Sequence, residues 1–141
     1  MTEKNKLLER PSSAGAEITN ICNANCSFCG YGKGSDGKAA DPRVKSKQDI
    51  TAYKHLLKLY SEGGGGNFSI TPILGEVSVH PEWLKLVKLA KSYKNITGVS
   101  CFSNGILLHR FGFENILKSG LSAFTISTAL GSREQYKRLY G

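Results

Sequence analysis

The sequence predicts an α/β fold of about four parallel strands joined by crossover helices. Two observations carry this reading. Short apolar or β-branched stretches alternate with segments whose apolar residues recur at helical spacing, in the order β-α-β-α-β-α-β-α. That alternation argues for parallel strands linked by right-handed crossovers. The second observation is length: 141 residues suit one domain.

Residues 1–13 read as a flexible tail and 14–141 as the core domain. AGAEITN, residues 14–20, is the first strand, and a cysteine-bearing loop follows at once. KGSDGKAADPRVK, residues 33–45, has almost nothing apolar to bury and is expected as an exposed excursion. Ser46, with Asp49 three residues later, resembles a capping box with Asp in place of Glu or Gln. Ile50, Tyr53, Leu56, Leu57 and Tyr60 then mark a helix. The glycines from Gly63 end it. NFSITPIL, residues 67–74, is the second strand, and Pro72 restricts its pairing. Pro81 opens a second helix, which turns Trp83, Leu84, Leu86, Val87 and Ala90 to one side. NITGVSCFS, residues 95–103, is the third strand; a helix broken or delayed by Gly112 follows. LSAFTIST, residues 121–128, is the fourth strand, and SREQYKRLYG starts a further helix.

The composition excludes several classes. No apolar run reaches the roughly 18 residues of a membrane span. The polar start lacks the apolar core of a signal peptide, so a cytoplasmic location is expected. The net charge is +8, yet Lys54, Lys58, Lys85, Lys88 and Lys91 are scattered over helix faces. They read as a solvated surface, with no clear nucleic-acid signal. Gly63 to Gly66 lack the G-K-[ST] ending of a phosphate loop and follow a helix where such a loop follows a strand.

Three of the four cysteines, Cys22, Cys26 and Cys29, fall in EITNICNANCSFCGYGKG with C-x3-C-x2-C spacing. In a reducing compartment, clustered cysteines more often bind metal or do chemistry than form disulfides. Thiolates suit zinc or iron–sulfur clusters. Structural zinc usually takes four ligands. Cys101 lies inside the third strand and reads as a small buried residue. His55, His80 and His109 lack zinc-knuckle spacing; His80, just before Pro81, reads as a surface or capping residue. Three ligands on a [4Fe–4S] cluster leave one iron open, as a catalytic metal requires. In parallel sheets and barrels, ligands sit at the carboxyl ends of the strands. The cysteine loop occupies that edge, and LGEVSVH, SNGI and STALG should face it.

The C-x3-C-x2-C loop after the first strand, with Phe28 before the last cysteine, resembles the signature of radical S-adenosylmethionine (radical SAM) enzymes. LGEV resembles the family's G-G-E-P after strand two: Gly75 and Glu76 match, while Leu74 and Val77 depart. SNG, residues 103–105, resembles the T-N-G after strand three. Ser127 stands where a serine after strand four often contacts SAM, although this stretch differs from the common I-S-L-D-G form. Each match also has a plain reading: Glu76 as a helix-terminal charge, Asn104-Gly105 as a turn, Ser127 as a strand serine.

The resemblance implies a partial radical-SAM-type (βα) barrel, since the family core usually has six βα units. It implies a [4Fe–4S] cluster held by Cys22, Cys26 and Cys29. It further implies SAM bound near Phe28, Gly75, Glu76, Ser103, Asn104 and Ser127, and reductive cleavage of SAM to a 5′-deoxyadenosyl radical that abstracts hydrogen from substrate. No catalytic side chain is assigned. An electron donor of flavodoxin or ferredoxin type is implied, with a small-molecule or peptide substrate of unknown identity and a partner chain that completes the barrel. The alternative is an iron–sulfur or zinc-binding remnant without SAM turnover.

Overall fold

The computed structural model describes residues 11–29, 45–128 and 131–141. The expected excursion at 33–45 lies outside them except for Lys45, and so do residues 1–10 of the expected tail. The elements are β1 (Ser13–Gly15), α1 (Ile50–Glu62), β2 (Gly66–Ser69), α2 (Trp83–Lys91), β3 (Ile96–Ser103), α3 (Phe113–Leu117), β4 (Ala123–Ile126) and α4 (Arg133–Tyr140). Short 3-10 turns occupy Val77–Val79 and Leu108–Arg110. The strands form one sheet in the order β1-β2-β3-β4, and every pairing is parallel. The alternation of strand and helix therefore has the consequence expected of it.

Register places Ala14 beside Phe68, Phe68 beside Val99, and Cys101 beside Phe124. Val99, Cys101 and Ser103 share one face of β3, and all three are buried. Tyr53, Leu57 and Tyr60 of α1 and Trp83, Leu86, Val87 and Ala90 of α2 belong to the same core. Trp83 stacks on Phe124, with ring centroids 6.0 Å apart. Tyr53 donates to the Leu86 carbonyl at 3.2 Å, which ties the two helices together. The opposite face of β3 presents Phe102 to solvent. Parallel sheets are normally covered on both faces. Among the described residues this face is left open at Phe102, as on the inner side of a partial barrel wall.

The first strand is shorter than the sequence suggests. It starts at Ser13, inside the expected tail, and stops at Gly15. Ile18 to Ile21 leave the sheet because their backbone groups are used elsewhere. Ile18 accepts from Gln48 N–H, Asn20 N–H donates to Ser46, and Ile21 accepts from Glu76 N–H. The second strand stops at Ser69, not Leu74. There Ser69 Oγ accepts the Thr71 N–H, Thr71 Oγ1 accepts the Phe102 N–H, and Pro72 has no N–H to offer. Side chains thus replace the ladder. The fourth strand is likewise trimmed to its middle four residues.

The first helix is capped by Asp49 rather than Ser46. Asp49 Oδ1 accepts the N–H groups of Thr51 and Ala52 at 2.9 Å each, as an N-cap side chain should. Ser46 pairs instead with Asn20 and Thr19. His80, expected at the surface or as a cap, is buried and caps: its Nδ1 accepts the Glu82 N–H at 3.1 Å. Burial, and then the charge of Lys47, hold its pKa below the usual value. At the end of α1, Gly65 has a φ of +63°, and a Cβ there would collide with the Asn95 carbonyl. This glycine serves a tight helix-to-strand turn. Gly112, with φ +74°, caps α3 and accounts for the delayed helix.

Lys54, Lys58, Lys85, Lys88 and Lys91 are all exposed. Lys58 and Lys85 pair with Glu62 and Glu82 on their own helices. Among the described residues, no helix is long and apolar enough to cross a membrane.

Candidate functional site

An open cavity of about 250 Å³ lies at the carboxyl ends of the strands. Cys22, Cys26, Phe28 and Cys29 line it from the loop after β1; Leu74, Gly75 and Glu76 from the segment after β2. Ser103 and Asn104 approach from β3, and Ser127 from β4. Every residue singled out in the sequence as a metal or SAM contact borders this one space. The three stretches expected to face the loop all contribute, although Ala129 and Leu130 of STALG lie outside the described residues.

Glu76 organises the site. Its side chain is 3% exposed. Oε1 accepts from Ser78 N–H at 3.0 Å, Ser78 Oγ at 2.6 Å and Ser103 Oγ at 2.6 Å. Oε2 accepts from Asn104 N–H at 2.7 Å. One carboxylate thus joins the segment after β2 to the turn after β3. Among the described residues it has no ion-pair partner within 4.0 Å. A buried carboxylate without a cation is costly unless hydrogen bonds or a ligand compensate. Four donors compensate in part, and Oε2, with a single donor, keeps acceptor capacity at a cavity-lining residue.

The other matched positions have definite surroundings. Gly75 is required for close approach, because a Cβ would collide with the Thr19 carbonyl. Ser103 Oγ also accepts the Gly105 N–H at 3.0 Å, so this hydroxyl is committed to the turn and to Glu76. Asn104 Oδ1 accepts the Ile106 N–H, while its Nδ2 donates to Asn23 Oδ1 at 3.0 Å and lies 4.0 Å from Cys22 Sγ. Asn104 therefore closes the turn and touches the cysteine loop at once. Ser127 N–H donates to the Ser103 carbonyl at 2.7 Å. Phe28 is 63% exposed. Its ring meets the edge of Tyr140, with centroids 5.4 Å apart.

Burial raises the Cys22 thiol pKa, and the charges of Glu76 and Cys29 add to this, against an opposing hydrogen bond from Ala24 N–H. Cys26 is raised by burial and then by Cys22 and Cys29. The three sulfurs are therefore close enough to feel one another. Yet among the described residues no three Cys, His, Asp or Glu side chains are gathered tightly enough to hold one metal ion. The donor set is soft and three-membered, and all three cysteines border the cavity. That suits a multi-iron cluster, which offers each thiolate a different iron.

Cys101 is apart from this set. It is 1% exposed, does not line the cavity, and burial followed by the charge of Glu76 pushes its pKa up to about 12. Cys101→Ser should leave iron uptake unchanged and cost about 1–3 kcal/mol through a buried hydroxyl. Loss of iron with the fold retained, read by metal analysis and circular dichroism, would contradict this.

Sequence reasoning missed Ser78 and Tyr140. Ser78 gives Glu76 two of its four hydrogen bonds and is buried. A serine two residues after a strand-end carboxylate is a legible signal for such a local bond. Tyr140 lines the cavity from α4, and nothing near it in the sequence marks it.

The radical SAM superfamily model matches residues 16–141, nearly the whole chain. The chain belongs to the radical SAM superfamily. Among curated proteins it is 27% identical over 119 residues to the GTP 3′,8-cyclase of Chlorobaculum tepidum, covering 84% of this chain and 33% of that protein. It is 33% identical over 96 residues to the sporulation killing factor maturation protein SkfB of Bacillus subtilis, covering 68% and 21%. This radical SAM chain thus spans about a third or less of these relatives. Among solved structures it resembles BtrN in complex with AdoMet and 2-DOIA, with TM-score 0.69, 19% identity and coverage of 86% and 47%. It also resembles HydG, a maturase of the [FeFe]-hydrogenase, with TM-score 0.66, 16% identity and coverage of 91% and 28%. These two likenesses are of fold: an open parallel α/β sheet, as in part of a radical SAM barrel.

Proposed function

We propose that this chain carries the cluster- and SAM-binding part of a radical SAM enzyme. The observation that supports it most is the meeting of Cys22, Cys26, Cys29, Glu76, Asn104 and Ser127 around one cavity. In this reading the three thiolates hold a [4Fe–4S] cluster. The cluster and SAM, when bound, supply the 5′-deoxyadenosyl radical that abstracts hydrogen. Glu76 Oε2 accepts a hydrogen bond from the ammonium of SAM and provides the charge that the buried carboxylate otherwise leaves unmatched. Ser127 and the Asn104 turn form the adjoining wall, and Phe28 flanks the opening. The substrate is a small molecule or a peptide, and reduction needs a flavodoxin- or ferredoxin-like donor, which fits a cytoplasmic setting.

Anaerobic reconstitution with iron and sulfide, followed by dithionite and SAM, tests the reading: 5′-deoxyadenosine should form. Iron uptake without any 5′-deoxyadenosine would instead favour a cluster-holding protein without SAM turnover.

The open face also sets an expectation for assembly. Among the described residues β4 has one strand neighbour, and Ile126 is 48% exposed. An apolar strand edge is a template for further pairing. Sizing chromatography should show self-association, or capture of a partner chain that completes the barrel, with weak multiple turnover by the chain alone. A monodisperse monomer that turns over a defined substrate would contradict this.

A further inference from the structure

The C-terminal turn of α4 is joined to the cysteine loop at both sides of Cys26. Asn25 N–H donates to the Tyr140 carbonyl at 3.0 Å, and Ser27 N–H donates to the Leu139 carbonyl at 2.9 Å. These are carbonyls that a helix end leaves without intrahelical partners. Side chains reinforce the joint. Tyr140 is 6% exposed, meets Phe28 edge-on, and stacks on Tyr136 with centroids 4.5 Å apart and planes at 12°. Tyr136 Oη in turn reaches the Asn104 carbonyl at 3.5 Å, and Asn104 Nδ2 bonds Asn23 of the same loop. The contacts close a ring: loop, α4, the turn after β3, and the loop again.

The cysteine loop also carries bonds of its own. Within it, Cys29 N–H donates to the Cys26 carbonyl, and Ala24 N–H approaches Cys22 Sγ at 3.5 Å. Its side chains are exposed or half-buried, so it contributes no core of its own. We propose that the last turn of α4 is the seat of the cysteine loop, with Tyr140, backed by Tyr136, as the positioning residue that fixes Cys26. The inference concerns how the loop is held; only its second test rests on the reading of Cys26 as a cluster ligand.

The first test is iodoacetamide alkylation of the metal-free protein, with rates resolved for each cysteine by peptide mass spectrometry. Cys101, in the core, reports global unfolding. Tyr140→Ala should raise the Cys26 rate roughly tenfold, which is about 1.4 kcal/mol of loop-opening free energy. Cys101 should stay protected, and Tyr140→Phe, which keeps the ring, should behave as the unsubstituted protein. An unchanged Cys26 rate in Tyr140→Ala would overturn the proposal. If Cys101 is labelled as well, Tyr136→Ala decides, because it keeps the buried Tyr140 ring. Faster Cys26 labelling with Cys101 protected then supports the seat, and no change overturns it. The second test is electron paramagnetic resonance of the reconstituted, reduced protein. Tyr140→Ala should broaden the cluster signal and Tyr140→Phe should restore it; identical spectra in all three would count against the seat. If the unsubstituted protein takes up no iron, the proposed function fails, and the alkylation result still decides this inference.

Discussion

Replacing any one of Cys22, Cys26 or Cys29 with alanine is expected to abolish the broad visible absorption of the reconstituted protein. All three border the same cavity, and Cys101 does not. A cluster with three protein ligands already has one iron without a side chain; removing one of the three leaves two thiolates on four irons. The sheet does not depend on these residues, which lie in a loop between β1 and α1. Circular dichroism should therefore show the fold retained while metal analysis shows iron lost. Stoichiometric zinc in the unsubstituted protein, with no uptake of iron, would point to a different centre.

Glu76→Gln is expected to weaken SAM binding roughly tenfold or more, at about 1.4 kcal/mol per decade. The charged acceptor makes a stronger bond to an ammonium than an amide oxygen does, on the order of 1.5–3 kcal/mol. The structure adds a second consequence. Oε1 faces Ser78 N–H and two hydroxyls, and Oε2 faces Asn104 N–H. A glutamine must turn its NH2 toward one of these sets. The serine hydroxyls can rotate to accept, but the Ser78 N–H cannot, so the amide nitrogen is better placed against Asn104. Either way a backbone donor loses its acceptor, which costs about 1–3 kcal/mol of stability. Titration calorimetry and denaturant unfolding separate the two effects. SAM affinity unchanged in a folded Glu76→Gln protein would remove Glu76 from the ligand site and leave it a structural brace.

Much of the site was legible because its residues lie at strand ends in chain order. A sheet whose strands are all parallel brings those ends to one edge, whatever the lengths of the strands. That is why Cys22, Glu76, Asn104 and Ser127 converge even though the strand boundaries differ from the sequence reading. The end of β1 was hidden by backbone bonds made outside the sheet, and the end of β2 by side-chain bonds. Ser69 and Thr71 take backbone partners that apolar patterning assigns to the ladder, and Asn20 and Thr19 bond the backbone of Ser46, three residues ahead of the observed cap. Asp49 can cap without a second residue, so its spacing from Ser46 misled. The α4 joint was invisible for a different reason. It rests on backbone carbonyls of Leu139 and Tyr140, and a carbonyl carries no residue identity.

The central claim is that three thiolates leave a coordination position beside Glu76 that SAM fills. Electron paramagnetic resonance of the anaerobically reconstituted, dithionite-reduced protein, recorded before and after addition of SAM, tests it most directly. The account predicts about four irons per chain and a cluster signal whose shape changes when SAM is added. An intact cluster signal that SAM leaves unmoved would contradict it.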